Sequence, residues 1–128
     1  MNKIILSLVL ASSLAGTAFG NEPAAPATEK SVSELASGCA TCHGPNGAAP
    51  VVPGAPILAG QEESYLIAAM RSYRLAARID AGKVKPVAGM LIRKNALMTP
   101  QAASLSDTQI KGLARFFNVQ VSTLYTKH

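Results

Sequence analysis

Apolar residues recur at helical spacing over three stretches of this chain, and two of those stretches open on capping signals. The first begins at Ser31-Val-Ser-Glu34, which has the form of a capping box: Ser31 receives a backbone N–H and Glu34 reaches back. Val32, Leu35 and Ala36 then make a short apolar face that leads into Cys39. The second runs from Gln61 to Arg78. Glu62 and Glu63 stand in its first turn, where the helix dipole favours them. Tyr65, Leu66, Ala69, Met70, Tyr73 and Ala77 mark one buried face, Arg71, Arg74 and Arg78 mark another, and Asp80-Ala-Gly82 ends the helix. The third starts at Ser106-Asp-Thr-Gln109, again a capping box, with Ile110, Leu113, Ala114, Phe116 and Phe117 on its buried side. The pattern predicts an all-α fold.

The connections carry their own signals. Gly44 to Gly60 holds four Pro and four Gly, so it cannot be regular structure and must be ordered by something other than its own hydrogen bonds. Its apolar residues Val51, Val52, Ile57 and Leu58 are expected to be buried. Lys83 to Lys94 is irregular and basic. Residues 1–20 read as a cleavable secretory signal: Lys3, an apolar run from Ile4 to Leu14, then the small-residue site Ala18-Phe19-Gly20. An uncleaved anchor is the alternative, though the run is short for a membrane span. Residues 21–29 read as a flexible Pro/Ala tether and 30–128 as one domain, the size of a small globular unit. No other stretch is long and apolar enough to cross a membrane, so the expected location is the periplasm.

Charge changes this picture little. The formal charge is +5, and loss of residues 1–20 removes Lys3 and no acid, leaving 11 basic and 7 acidic side chains, or +4. That suits weak docking to acidic protein patches and is too modest and scattered for nucleic acid. From Arg71 to Lys94 there are seven basic residues and one acid, Asp80. The run is either a solvated face or a docking patch whose arginines could also meet acidic groups by charge-assisted bonds.

The chemistry concentrates in Cys39-Ala40-Thr41-Cys42-His43. A Cys-x-x-Cys-His run is what covalent c-type haem attachment requires: two thiols three apart reach two vinyl groups of one porphyrin, and the adjacent His43 supplies an axial nitrogen. The rivals are weaker. A redox dithiol wants a βαβ setting, a zinc site wants two further ligands while the other histidine is the terminal His128, and a disulfide across two residues would stabilise little. Both cysteines lie inside the motif, so none is left for a framework disulfide. A haem would also complete the core of a small domain poor in aromatic residues, and Ile57 and Leu58 could bury against its edge. For the second axial ligand, Met70 sits on the apolar stripe of a helix, where Met is usually core. Met98 precedes Pro100 in an irregular stretch before the last helix, which makes it the favoured ligand, with Met90 the alternative.

Together Cys39-Ala-Thr-Cys-His-Gly-Pro-Asn-Gly, Ala55-Pro-Ile-Leu-Ala-Gly-Gln61, Met98 ahead of Leu105-Ser-Asp, and Leu113-Ala-Arg-Phe-Phe117 resemble class I cytochromes c, and among them the cytochrome c4-like single-haem branch. The resembling stretches run through most of residues 30–118, in the family's order. The resemblance implies a class I fold of three or more helices around one covalent haem c, thioether links at Cys39 and Cys42, and His43 and Met98 as iron ligands. It further implies that the Pro56 carbonyl orients the axial histidine and that Leu58 packs on the haem. Leu35 and Phe116 resemble the pair where first and last helices cross. The family's small glycine at that crossing corresponds to Ser31 here, which implies a looser contact. Asp80 to Asn95 is longer than the family's usual connection.

The function so implied is a periplasmic carrier of single electrons between redox partner proteins, and not an enzyme. Its alternatives are the haem subunit of a periplasmic oxidoreductase, such as a flavocytochrome or molybdenum enzyme, or an open-site haem with a peroxidase-like or gas-sensing role. The last lacks support from any spare internal histidine for acid–base work.

Overall fold

The computed structural model describes residues 29–122. The leader expected over 1–20 and the tether through Thr28 lie outside the described residues. Four helices follow one another: α1 (Val32–His43), α2 (Glu63–Asp80), α3 (Met98–Ala102) and α4 (Asp107–Asn118), with a 3₁₀ turn at Pro45–Gly47 and no strand among the described residues. The fold is the small all-α class that the pattern predicts.

Both capping boxes form. Ser31 Oγ accepts from the Glu34 N–H at 3.2 Å while the Ser31 N–H donates to Glu34 at 2.7 Å, and Ser106 and Gln109 repeat the exchange at 3.1 and 3.0 Å. Each satisfies two of the donors that a helix start leaves open. α2 starts two residues later than its acidic turn predicts, at Glu63 behind Glu62 as cap. α3 was not foreseen as a helix, because five residues carry no periodicity. Pro100 is tolerated there because its third position in the helix needs no N–H donor.

The core is narrow: Ala36 of α1, Leu66 of α2, and Leu113, Ala114 and Phe117 of α4 form the buried cluster. Val32, Leu35, Cys39, Leu58, Met70 and Phe116 pack around it half-buried. The face of α2 is rotated from the predicted one. Leu66, Ser72 and Ala76 are its buried residues, and Tyr65 stands 44% exposed. Ser72 is affordable inside because its hydroxyl donates to the Ala69 carbonyl at 2.8 Å. In the 44–60 loop Val51 is exposed, against expectation, while Val52, Ile57 and Leu58 are half-buried.

The expected loosening of the α1–α4 crossing at Ser31 is not what the structure shows. Ser31 is spent as a cap, and the small residue at the crossing is Gly112 of α4. A Cβ added there would lie 2.5 Å from Val32 Cγ2. Alanine gains about 1 kcal/mol of helix propensity over glycine, but forcing a methyl against a stiff β-branched side chain costs about 1–3 kcal/mol. Gly112→Ala is therefore expected to lower the urea midpoint. In a Val32→Ala background the same change is expected to raise it, since the clash is gone and the propensity remains. A Gly112→Ala protein more stable than its parent would show that the crossing has room to spare.

Candidate functional site

The last turn of α1 carries Cys39, Cys42 and His43. Three residues apart on a helix, the two sulfurs lie on neighbouring positions of one side. Both thiols are free and half-buried. Burial pushes the Cys39 thiol above its ordinary value, and the neighbouring Cys42 adds to the rise, so Cys39 keeps its proton at neutral pH.

His43 is 4% exposed. Its Nδ1 lies 2.7 Å from the Pro56 carbonyl oxygen. A carbonyl only accepts, so Nδ1 carries the proton and Nε2 is left with the lone pair that a metal would use. The 44–60 loop that delivers Pro56 is held from outside at Cys42 and Phe117 and, against expectation, also by its own hydrogen bonds at Gly47. Val51 and Val52 N–H groups donate to the Cys42 carbonyl, Leu58 and Ala59 to the Gly47 carbonyl, and Gly60 to the Phe117 carbonyl. Gly47 is the pivot of this packing. Its φ is +70°, and a Cβ would sit 2.8 Å from Leu58 Cβ and 2.9 Å from Phe117 Cδ1. Leu58 thus packs beside Gly47 against the core cluster.

Met98 is the first residue of α3 and half-buried. It lines a cavity together with Cys39, Met70, Leu35, Leu105 and Leu113. The structure therefore brings Met98 to the wall that holds Cys39. Met90 does not line this cavity; it belongs to the irregular connection between α2 and α3. Cys42 and His43 are not on its wall either. The cavity encloses about 150 Å³, room for a side chain or a few waters and not for a porphyrin. Fit to a haem rests on the donor set instead: two unpaired thiols, an imidazole with one nitrogen occupied and the other available, and a thioether near the first thiol. Among the described residues no three His, Cys, Asp or Glu side chains gather as a metal cage.

The basic stretch is largely engaged. Arg74 meets Asp107 at 2.6 Å and the Leu105 carbonyl at 2.7 Å, with Arg71 at 3.4 Å from the same carboxylate. The Arg74 hydrogen bond, helped by the charge of Arg71, holds the Asp107 carboxyl below its usual range. Arg93 lies 5.2 Å over the Tyr65 ring and donates to its hydroxyl at 3.2 Å. Lys94 pairs with Asp80 at 2.8 Å. These contacts fasten the α2–α3 connection to α2 and α2 to the start of α4. The Arg71 and Lys94 pairs are exposed and contribute little stability each, while the Arg74 side chain is largely covered.

Two features escaped the sequence reading. Met70 shares the Met98 cavity, a placement that stripe periodicity alone assigns to core. Asn95 stands two residues ahead of Leu97, the cap position of α3, and its side-chain oxygen accepts from the Leu97 and Met98 N–H groups at 2.9 Å each. The signal was present as an Asn three residues ahead of Met98, a residue type that favours caps.

The cytochrome c family model matches residues 30–118. Cytochrome c4 of Azotobacter vinelandii is 32% identical over 124 residues, 97% of this chain and 53% of that protein. Cytochrome c4 of Stutzerimonas stutzeri is 33% identical over 120 residues, 94% of this chain and 51% of that protein. Cytochrome c-554(548) of Halomonas halodenitrificans is 33% identical over 82 residues, 64% of this chain and 83% of that protein. The chain spans about half the length of these cytochrome c4 relatives.

Proposed function

The chain belongs to the cytochrome c family, in its class I, cytochrome c4-like branch, and from this premise we propose that it carries single electrons through one covalently attached haem c with His43 and Met98 as axial ligands. The observation that carries the reading is the end of α1, where the free thiols of Cys39 and Cys42 precede an imidazole whose Nδ1 is fixed on the Pro56 carbonyl at 2.7 Å. Bound haem would supply an iron that cycles between Fe(III) and Fe(II).

This chain's residues do the rest. Cys39 and Cys42 would hold the group through two thioether bonds, each thiol supplying the sulfur to one vinyl carbon and its hydrogen to the other, with no oxidant needed. Pro56 holds the His43 ring in one tautomer and one orientation, and so limits movement of the ligand when the charge changes. Met98, a soft neutral thioether, favours the reduced state and raises the potential. With His43 and Met98 both holding the iron, small molecules would be kept off the metal, which is what separates a carrier from an open-site catalyst or sensor.

Export to the periplasm follows in this reading from the apolar run ahead of Ala18-Phe19-Gly20. Among the described residues no helix is long and apolar enough to cross a membrane. Redox partners with acidic patches would meet Arg78, Lys83 and Lys85, the cations of the basic stretch engaged neither in the ion pairs nor in the Arg93–Tyr65 contact above.

The deciding experiment is an absorption spectrum of the haem-matured protein, oxidised and reduced. Sharp α and β bands on reduction, with the weak long-wavelength ferric band of thioether–iron ligation, are expected. A high-spin spectrum that shifts on adding carbon monoxide would overturn His/Met ligation and favour the open-site function.

A further inference from the structure

α3 is too short to hold its own first residue. An isolated stretch of five residues is far below the length at which a helix stands in water, yet its first residue is Met98. What fixes it is a closed exchange of hydrogen bonds with Asn95. The Asn95 side-chain oxygen accepts from the N–H groups of Leu97 and Met98, at 2.9 Å each. In return the Asn95 N–H donates to Thr99 Oγ1 at 3.0 Å, and the Thr99 N–H donates to the Asn95 carbonyl at 3.0 Å. Four bonds within the five residues 95–99 thus tie the residues on either side of Met98 to one another. Thr99 is 7% exposed, so this knot is anchored at the protein's interior, whereas Leu97 beside it is 62% exposed and offers no grip.

Upstream, the connection that carries Asn95 is itself pinned to α2. The Arg93 N–H donates to the Ser72 carbonyl at 3.4 Å, the Arg93 guanidinium covers Tyr65, and Lys94 holds Asp80. Met98 therefore receives its position from α2 through Arg93 and Asn95, and not from α4 alone.

We propose that Asn95, with Thr99, is the positioning residue of the axial thioether: it presets the backbone of Met98 so that the sulfur stays on the iron in both oxidation states. This rests on the reading of Met98 as ligand. From two residues ahead of the cap position at Leu97, Asn95 holds the same kind of N–H groups that a cap residue holds; loss of a cap side chain typically costs a helix start about 1 kcal/mol, and here such a loss falls on the segment bearing the ligand. In the chain as it stands, the thioether competes with any external ligand from a prepaid conformation. Without Asn95 it must first order its own turn.

The test is a titration of the haem-matured ferric protein with imidazole, following the long-wavelength thioether band, in parent, Met98→Ala, Asn95→Ala, Asn95→Asp and Thr99→Val. Asn95→Ala is expected to bind imidazole about fivefold more tightly than parent, which is that typical cost expressed as an equilibrium, with Thr99→Val moving the same way. Asn95→Asp keeps an acceptor at the same place and is expected to stay within about twofold of parent. General loss of stability would not be rescued in this way, since an added surface carboxylate brings no packing. If Met98→Ala retains the parent's band, the ligand reading itself fails. If Met98→Ala loses the band while Asn95→Ala and Thr99→Val both titrate as parent does, the ligand reading stands and the positioning role is overturned.

Discussion

Met98→Ala is expected to abolish the ferric thioether band and to lower the potential on the order of 0.2 V, a quarter of the ~0.8 V that axial ligation spans in haem proteins. The direction follows from the ligand. A neutral, polarisable sulfur stabilises Fe(II) relative to Fe(III), and water or an anion in its place does the opposite. The size of the structural disturbance is bounded, because Met98 is only half-buried and its cavity is already partly open. Loss of potential should therefore far outweigh loss of fold. Met70 lines the same cavity, and a Met70→Ala variant is the needed control: it is expected to cost some stability through lost packing and to leave the band in place. Met90→Ala is expected to change neither. Redox titration of the three variants decides between them. A fall in potential with Met90→Ala and none with Met98→Ala would move the ligand into the long connection between α2 and α3.

Replacing both Cys39 and Cys42 by Ser is expected to yield protein from which all haem separates on denaturation, and each single change to leave it weakly held. Serine hydroxyls fill nearly the same space and make no thioether, so the effect reports the bond and not the shape. The consequence for stability should be large. The buried cluster of the described residues is Ala36, Leu66, Leu113, Ala114 and Phe117, a small core for a domain of this length. A flat apolar group tethered beside it contributes on the scale of a buried large side chain, about 3–5 kcal/mol. Denaturing electrophoresis with haem staining checks the attachment, and the denaturant midpoint of the same samples checks the stability. A fully loaded, covalently bound product from the double variant would end the attachment claim.

Much of the site was legible because its information is local. Cys39, Cys42 and His43 sit within five residues, and both capping boxes lie within four, so spacing alone carries them. The helical class was legible for the same reason, since a period of 3.6 can be read inside one element. What failed was the rotation of α2. Tyr65 belongs to an apolar stripe on the helical wheel, yet stands exposed under Arg93, while Ser72 goes inside. The stripe says that a face exists; which residues at its margin are covered depends on what packs against it. α3 failed for length, and the burial of Val51 failed because a Pro/Gly loop has no period to consult.

The sequence by itself determined the Cys-x-x-Cys-His run at the end of α1, the helix starts at Ser31 and Ser106, and the order of the three longer helices. Each of these is encoded by residues within one or two turns of one another, where chain connectivity already brings the groups together. Only the tertiary structure decided that Met98 shares a wall with Cys39, that Gly112 and not Ser31 admits Val32, and that Arg74 meets Asp107, and it alone put the Pro56 carbonyl, named beforehand through the resemblance, within hydrogen-bond distance of His43. Those pairs are far apart along the chain. Their meeting depends on how loops close and how helices cross around a shared core, a balance of packing and chain entropy set by the whole fold at once.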